Sequence, residues 1–270
     1  MHRPEIFDPY PAGPDIDVLP SFFPIPGLGI VPVNAFVLKA QEPVLVDTGL
    51  WDLSDGFMDR LSSVIDLDDL RWLWLTHNDH DHIGSLHRII EAAPRIRVVT
   101  TFLGLGKMSL FRPLAVDRVY LLNPGQVLDV GDRKLTSVRP PTYDAPETTG
   151  FYDHKSAALF SADCFGALMT EPADSAGGIG SERLRDGLIA WTKMDSPWLH
   201  AIDRDEFTKT INYFLGLAPK VILSSHLPAA HGMTDELLQY IAIVPDEEPF
   251  VGPDQLALQS MAKSGGGAPQ

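Results

Sequence analysis

Between Leu75 and Gly84 the sequence reads LTHNDHDHIG, which places three histidines and two aspartates within the six positions His77–His82, directly after the apolar run Leu73–Leu75. An ordinary turn has no use for five such groups. A single rigid loop can instead present several of them to one point, and neutral imidazoles with ionised carboxylates are the usual ligands of Zn, Fe and Mn. Such a loop has to stand on a buried scaffold, which restricts the fold to one with a rigid edge where loops gather.

Other segments repeat the design of a short apolar strand ending in a potential ligand. Pro43–Val46 runs into Asp47, Trp72–Leu75 through Thr76 into His77, Ala158–Ser161 into Asp163, and Val221–Leu223 through two serines into His226. Short continuous apolar runs of this kind suit strands buried on both faces of a sheet. The order Asp, His, Asp, His hints at two related halves. Helices are expected over Leu53–Ile65, where Phe57, Leu61 and Val64 recur at helical spacing, and over Ile83–Ala93, which stops before Pro94. Two more are expected over Asp205–Leu217 and Asp235–Ile243. Leu121–Val138 reads as short strands with turns at Pro124-Gly125 and Gly131-Asp132. Interleaved strands and helices point to a layered α/β domain in which helices cover packed sheets.

A chain of 270 residues, 44% hydrophobic, can bury a full core. Residues 1–262 are read as one domain with a proline-rich lead-in over 1–25, followed by a flexible tail over 263–270; Thr170–Gly180 reads as a mobile insertion rich in small residues. The net charge of −15 argues against nucleic acid and anionic membrane as partners, since both reward Lys and Arg. No apolar run approaches the roughly 20 residues that cross a bilayer, and the N-terminus has no secretory apolar segment. A single cysteine, Cys164, excludes an internal disulfide framework, and a cytoplasmic location is expected.

The spacing of His77, Asp79, Asp81 and His82 lets alternate side chains of an extended loop face different metals. Adding Asp163 and His226 at strand ends gives enough ligands for two ions about 3.5–4 Å apart with a carboxylate between them. Asp47 is expected to orient a ligand rather than bind metal, or to cap a helix. His80, between two ligands, should point away. His231 competes with His226, but the strand end favours His226. His87 and His2 read as structural or surface residues, and Cys164 as a buried, inert thiol. Trp191, Trp198 and His200 either cover the site or pack helices.

Val46-Asp47-Thr48-Gly49, the His77–Gly84 run and Ser225-His226 together resemble the metallo-β-lactamase superfamily, over roughly Pro32 to Gly232. The usual superfamily motif is His-x-His-x-Asp-His, whereas this chain reads His77-Asn78-Asp79-His80-Asp81-His82. A carboxylate in the second ligand position marks the flavodiiron and oxygen-binding di-iron branch, and Leu159-Phe160-Ser161-Ala162-Asp163-Cys164-Phe165-Gly166 is similar to that branch's Leu-Phe-Ser-x-Asp-Ala-Phe-Gly segment. The resemblance implies a four-layer αββα fold, of class α/β or, in some schemes, α+β. It assigns His77 and Asp79 to a first metal, Asp81, His82 and His226 to a second, and Asp163 to both. One position departs from the pattern: in the loop Pro141–Glu147, Asp144 stands where both branches place a His. His154 is the nearest substitute, but its place before strand Ala158–Ser161 fits poorly. With Asp144 the set is three His and four Asp, which suits iron or manganese better than zinc.

Three functions follow as expectations. The first is a di-iron protein that binds or reduces dioxygen or a similar small oxidant. Because the residues after Gly232 are too few for a flavodoxin-like domain, electrons would come from a separate partner, or the chain would sense a ligand without turnover. The second is a metal-dependent hydrolase of an ester, thioester, lactam or phosphodiester. The third is a binding module with a degenerate site. A small-molecule ligand and self-association into a homo-oligomer are compatible with each.

Overall fold

The computed structural model describes residues 3–264, with side chains described up to Ser260. His2 and positions 265–270 of the tail lie outside the described residues. A first sheet is built from β1 (Glu5–Ile6), β2 (Tyr10–Gly13), β3 (Ile16–Ile25), β4 (Gly29–Leu38), β5 (Val44–Val46), β6 (Trp72–Trp74), β7 (Arg97–Thr100) and β8 (Val119–Leu121), in the order β1-β3-β4-β5-β6-β7-β8 with β2 also paired to β3. A second contains β9 (Val127–Asp129), β10 (Lys134–Val138), β11 (Gly150–Asp153), β12 (Ala158–Phe160), β13 (Val221–Leu223) and β14 (Ala230–His231), in the order β14-β13-β12-β11-β10-β9. The run β5-β6-β7-β8 is parallel, as is the pair β12-β13; all other neighbours are antiparallel.

The layers follow from the period-2 alternation of strand side chains. Phe36, Val46, Trp74 and Val99 of the first sheet share one core with Leu135, Phe151, Phe160 and Leu223 of the second. The alternate residues Val37, Leu45, Leu73 and Val98 pack outward on the helices α1 (Ser54–Val64), α2 (Leu86–Ala92) and α3 (Phe102–Phe111) through Phe57, Leu61, Leu86, Ile89 and Met108. On the far side, Leu159 and Ile222 meet Leu184, Leu188, Phe207, Phe214, Leu237 and Ile241 of α4 (Ser181–Asp195), α5 (Arg204–Leu217) and α6 (Thr234–Ile243). The result is helix, sheet, sheet, helix: the four-layer αββα arrangement. A last helix, α7 (Gln255–Ser264), follows, so Lys263 and Ser264 of the tail are helical. Among the described residues no helix is long and apolar enough to cross a membrane.

Several elements depart from the sequence expectation. The stretch read as a lead-in carries β1, β2 and β3, and β3 pairs with β4 along its whole length despite Pro20, Pro24 and Pro32. Helix α2 starts at Leu86, not Ile83, because residues 83–85 are tied back to the turn after β5: Gly84 N donates to Gly49 O at 2.9 Å and Ser85 N to Thr48 O at 3.2 Å. A Cβ at Gly84 would lie 2.3 Å from Gly49 O, so only glycine lets the two loops approach this closely. The Thr170–Gly180 segment is anchored where buried Ala176 donates its backbone N–H to Ala229 O at 3.2 Å. Helices α3 and α4 were not anticipated; both carry internal glycines that weaken a helical signal.

The centre of the sandwich is aromatic. Phe151 stacks on Phe160 at 4.3 Å and meets Trp74 of the opposite sheet at 4.6 Å. Truncating so central a ring leaves a cavity that both sheets line. Phe151→Ala should therefore lower stability by about 3–5 kcal/mol in denaturant unfolding; a loss below about 1 kcal/mol would show that the seam does not hold the layers together.

Candidate metal centre

Ligand-type residues gather at the carboxyl ends of strands from both sheets. β5 leads into Asp47, β6 into His77, β12 into Asp163 and β13 into His226, while the loop after β10 carries Asp144. Two of the parallel pairs, β5-β6 and β12-β13, thus deliver their loops to one edge. Backbone geometry sharpens the delivery. Asp47 (φ 57°), Ala162 (φ 51°) and Phe165 (φ 70°) occupy the left-handed region, an arrangement that persists in non-glycine residues only where surrounding structure enforces it.

Asp163 is the focus. Its Oδ2 lies 3.3 Å from His77 Nε2, and its Oδ1 lies 3.1 Å from His82 Nε2 and 3.2 Å from His226 Nε2. Asp81 Oδ2 stands 3.5 Å from His226 Nε2 and 3.6 Å from His82 Nε2, and Asp144 Oδ1 3.8 Å from His77 Nε2. Ligand atoms group within 4.8 Å of one another as His77, His82 and Asp163; as Asp81, His82 and His226; as His77, Asp79 and Asp144; and as Asp144, Asp163 and Asp195. All seven residues singled out in the sequence therefore meet at one place. An eighth, Asp195 at the end of α4, joins them without having been foreseen.

The donor set fits metal ions. His77 Nε2, His82 Nε2 and Asp163 Oδ1 are buried yet make no hydrogen bond, despite their proximity. Buried polar atoms are ordinarily satisfied, so a convergent group left unpaired calls for a cation. The opposite ring nitrogens are held: His82 Nδ1 lies 2.8 Å from Asp47 Oδ2, His226 Nδ1 donates to Pro32 O at 2.7 Å, and His77 Nδ1 lies 3.1 Å from Thr76 Oγ1. Asp47 is further fixed by Thr76, whose N–H and hydroxyl both donate to it, at 2.9 and 2.8 Å. Asp47 is thus an orienting group, and the tautomer it imposes leaves Nε2 with its lone pair toward Asp163.

Other candidates lie elsewhere. His80 and His231 are exposed, His87 is half-buried on α2, and His154 pairs with Thr136 Oγ1 at 2.7 Å. Trp191 donates from Nε1 to Asp163 O at 3.2 Å and packs on the His226 ring at 4.4 Å, while Trp198 donates to Tyr143 O beside Asp144 at 2.6 Å. Both therefore brace ligand-bearing loops. His200 belongs to none of the ligand groups. Burial pushes the Cys164 thiol up to about 12, as befits an inert residue.

Charge in the site is strongly coupled. Burial opposes protonation of His77, but Asp163 and Asp144 outweigh it and raise the imidazole to about 9. His82 and His226 are raised too, against their own burial, by Asp81 and Asp163. Asp163, although buried, is held well below its usual range by the three histidines. Asp195 is pushed up to about 8 by burial and by Asp163 and Asp144, and Asp144 is raised by burial. Without a cation the site holds protons in its place.

The ODP family beta lactamase profile matches residues 31–182, more than half of the chain. The chain belongs to that family. The ODP-family chain is also 28% identical over 134 residues to the anaerobic nitric oxide reductase flavorubredoxin of Salmonella typhi, covering 49% of the chain and 28% of that relative. It superposes on the rubredoxin oxygen:oxidoreductase of Desulfovibrio gigas with a TM-score of 0.78 at 19% identity, over 90% of the chain and 63% of that structure. The flavodiiron protein of Giardia intestinalis gives 0.75 at 16% identity, over 90% and 60%. The ODP-family chain spans about a quarter of the length of several curated relatives that it matches. Family and fold thus agree with the resemblance drawn from the sequence.

Two outcomes test the centre. Asp47→Asn should weaken metal binding by about 10–100-fold in chelator competition, since it frees the His82 ring; unchanged affinity would remove Asp47 from the site. The second concerns pH. Histidines raised above 6.5 by the neighbouring carboxylates stabilise the metal-free fold while protonated, and that contribution drains away as pH climbs toward about 9. Chelator-treated protein should therefore lose thermal stability between about pH 6.5 and 9, and metal-loaded protein much less.

Proposed function

We propose that residues 1–262 form one unit that holds two iron ions and binds or reduces dioxygen or a similar small oxidant, with electrons from a separate partner. The observation that carries this reading is Asp163, whose two oxygens face different imidazoles, His77 on one side and His82 with His226 on the other. That division supports His77, Asp79 and Asp144 around one ion, Asp81, His82 and His226 around the other, and Asp163 shared. Four carboxylates beside three imidazoles form an oxygen-rich set, which favours iron, or manganese, over zinc. The relatives point the same way, since one is named for oxygen reduction and another as a flavodiiron protein.

Bound iron would supply the one-electron chemistry. The chain supplies the rest. Asp47, Pro32 O and Thr76 fix the imidazole tautomers, and Trp191 shields the buried side of Asp163 and His226. Asp79 and Asp144 are the more exposed members, so the approach for a small ligand lies on their side.

Protein purified from cells supplied with iron and zinc should carry about two irons per chain, and Asp144→Ala should lose iron. The reduced, iron-loaded protein should change its absorption spectrum and consume oxygen on exposure to air. No spectral change and no uptake would overturn the reading; two zincs, with hydrolysis of an ester or phosphodiester above a metal-free control, would replace it.

A further inference from the structure

We infer that Asp195 is a further ligand of the metal centre, completing with Asp144 and Asp163 a face made of carboxylates alone. The inference rests on the binuclear reading above and adds a member to it. One ligand oxygen from each of the three residues lies within 4.8 Å of the others.

Helix α4 is built to put Asp195 there. Gly187 packs against the Leu168 carbonyl so closely that a Cβ would sit 2.2 Å from it, which fixes the helix against the loop following Asp163. One turn before its end, Trp191 hydrogen-bonds to Asp163 O and lies on the His226 ring. Asp195 follows Trp191 by four positions and so shares its face of the helix. The side chain that grips two members of the centre therefore sets the direction of the carboxylate.

That placement is unfavourable by any local measure. Asp195 is the last residue of α4, where the helix dipole presents partial negative charge and disfavours a carboxylate. It also faces two more carboxylates, and its partner there is the neighbouring Ser196 hydroxyl, which donates to Oδ2 at 3.0 Å. Nothing in helix stability or surface solvation calls for an acid at this point. A cation shared with Asp163 does, and Asp163 Oδ1, which the His82 and His226 imidazoles also face, is itself buried without a hydrogen-bond partner. With Asp195 the centre counts five carboxylates, Asp79, Asp81, Asp144, Asp163 and Asp195, against three imidazoles, which biases it further toward hard, highly charged ions.

Cobalt(II) is the probe, because its visible absorption reports coordination independently of turnover. Metal-free wild type, Asp195→Ala and the isosteric Asp195→Asn are checked for folding by circular dichroism, titrated with cobalt, and assayed for iron content. Two cobalt ions in wild type, with an altered spectrum and at least about tenfold weaker binding of one ion in whichever variant folds, are expected. An unchanged spectrum in the variants, even with weaker binding, would overturn the ligand role and leave the binuclear reading standing. Failure of the wild type itself to bind two metals would overturn both.

Discussion

A buried carboxylate cannot stand unpaired in a protein interior, and Asp163 is buried where the two sheets meet. Much of the surrounding architecture can be read as the means of meeting that demand. Three imidazoles reach Asp163 from two loops, His77 and His82 from the one after β6 and His226 from the one after β13, and the left-handed residues Ala162 and Phe165 bend the chain sharply on either side of it. Strained residues of this kind cost of order 1–3 kcal/mol each, which an ordinary αβ connection would not retain. The aromatic seam of Trp74, Phe151 and Phe160 lies below and keeps the strand ends in register.

Straps between the sheets bring the two sets of loops together. Asn34 in β4 donates its backbone N–H to Ser225 O, and its side chain to Ser224 O and Leu227 O, clasping the loop that carries His226. Pro32 in the same strand accepts from His226 Nδ1. In the other direction, Thr149 N donates to Thr76 O, joining the Asp144 loop to the His77 loop at 2.8 Å. The centre is therefore shared between sheets rather than belonging to either. Its geometry depends on the same contacts that close the sandwich.

How far the sequence discloses this can be judged residue by residue. Ligands that follow directly on buried apolar strands, such as His77, Asp163 and His226, are legible because strand end and ligand are adjacent in the chain. Asp47 is legible as an orienting group for the same reason. The β3-β4 hairpin is hidden by its prolines, which read as strand breakers yet sit among ten paired positions. Asp195 is hidden for a different reason. It closes a helix whose glycine weakens the helical signal, and its proximity to Asp163 arises only from the docking of Trp191, a contact no local pattern encodes. Pro32 O is likewise invisible, being a backbone group.

The balance between imidazole and carboxylate is what gives the centre its chemical character. In the metal-free state it favours protons on His77, His82 and His226, which the carboxylates raise against burial, and on Asp195, which burial raises together with Asp163 and Asp144. A cation entering the site must displace those protons, so a weakly charged or soft ion gains little from the exchange, whereas a hard ion gains most from the oxygen donors. Asp144, Asp163 and Asp195 lie together, so their negative charge is concentrated on one part of the donor set. Selectivity, on this view, comes from the net charge of the donor set as much as from the position of any one ligand.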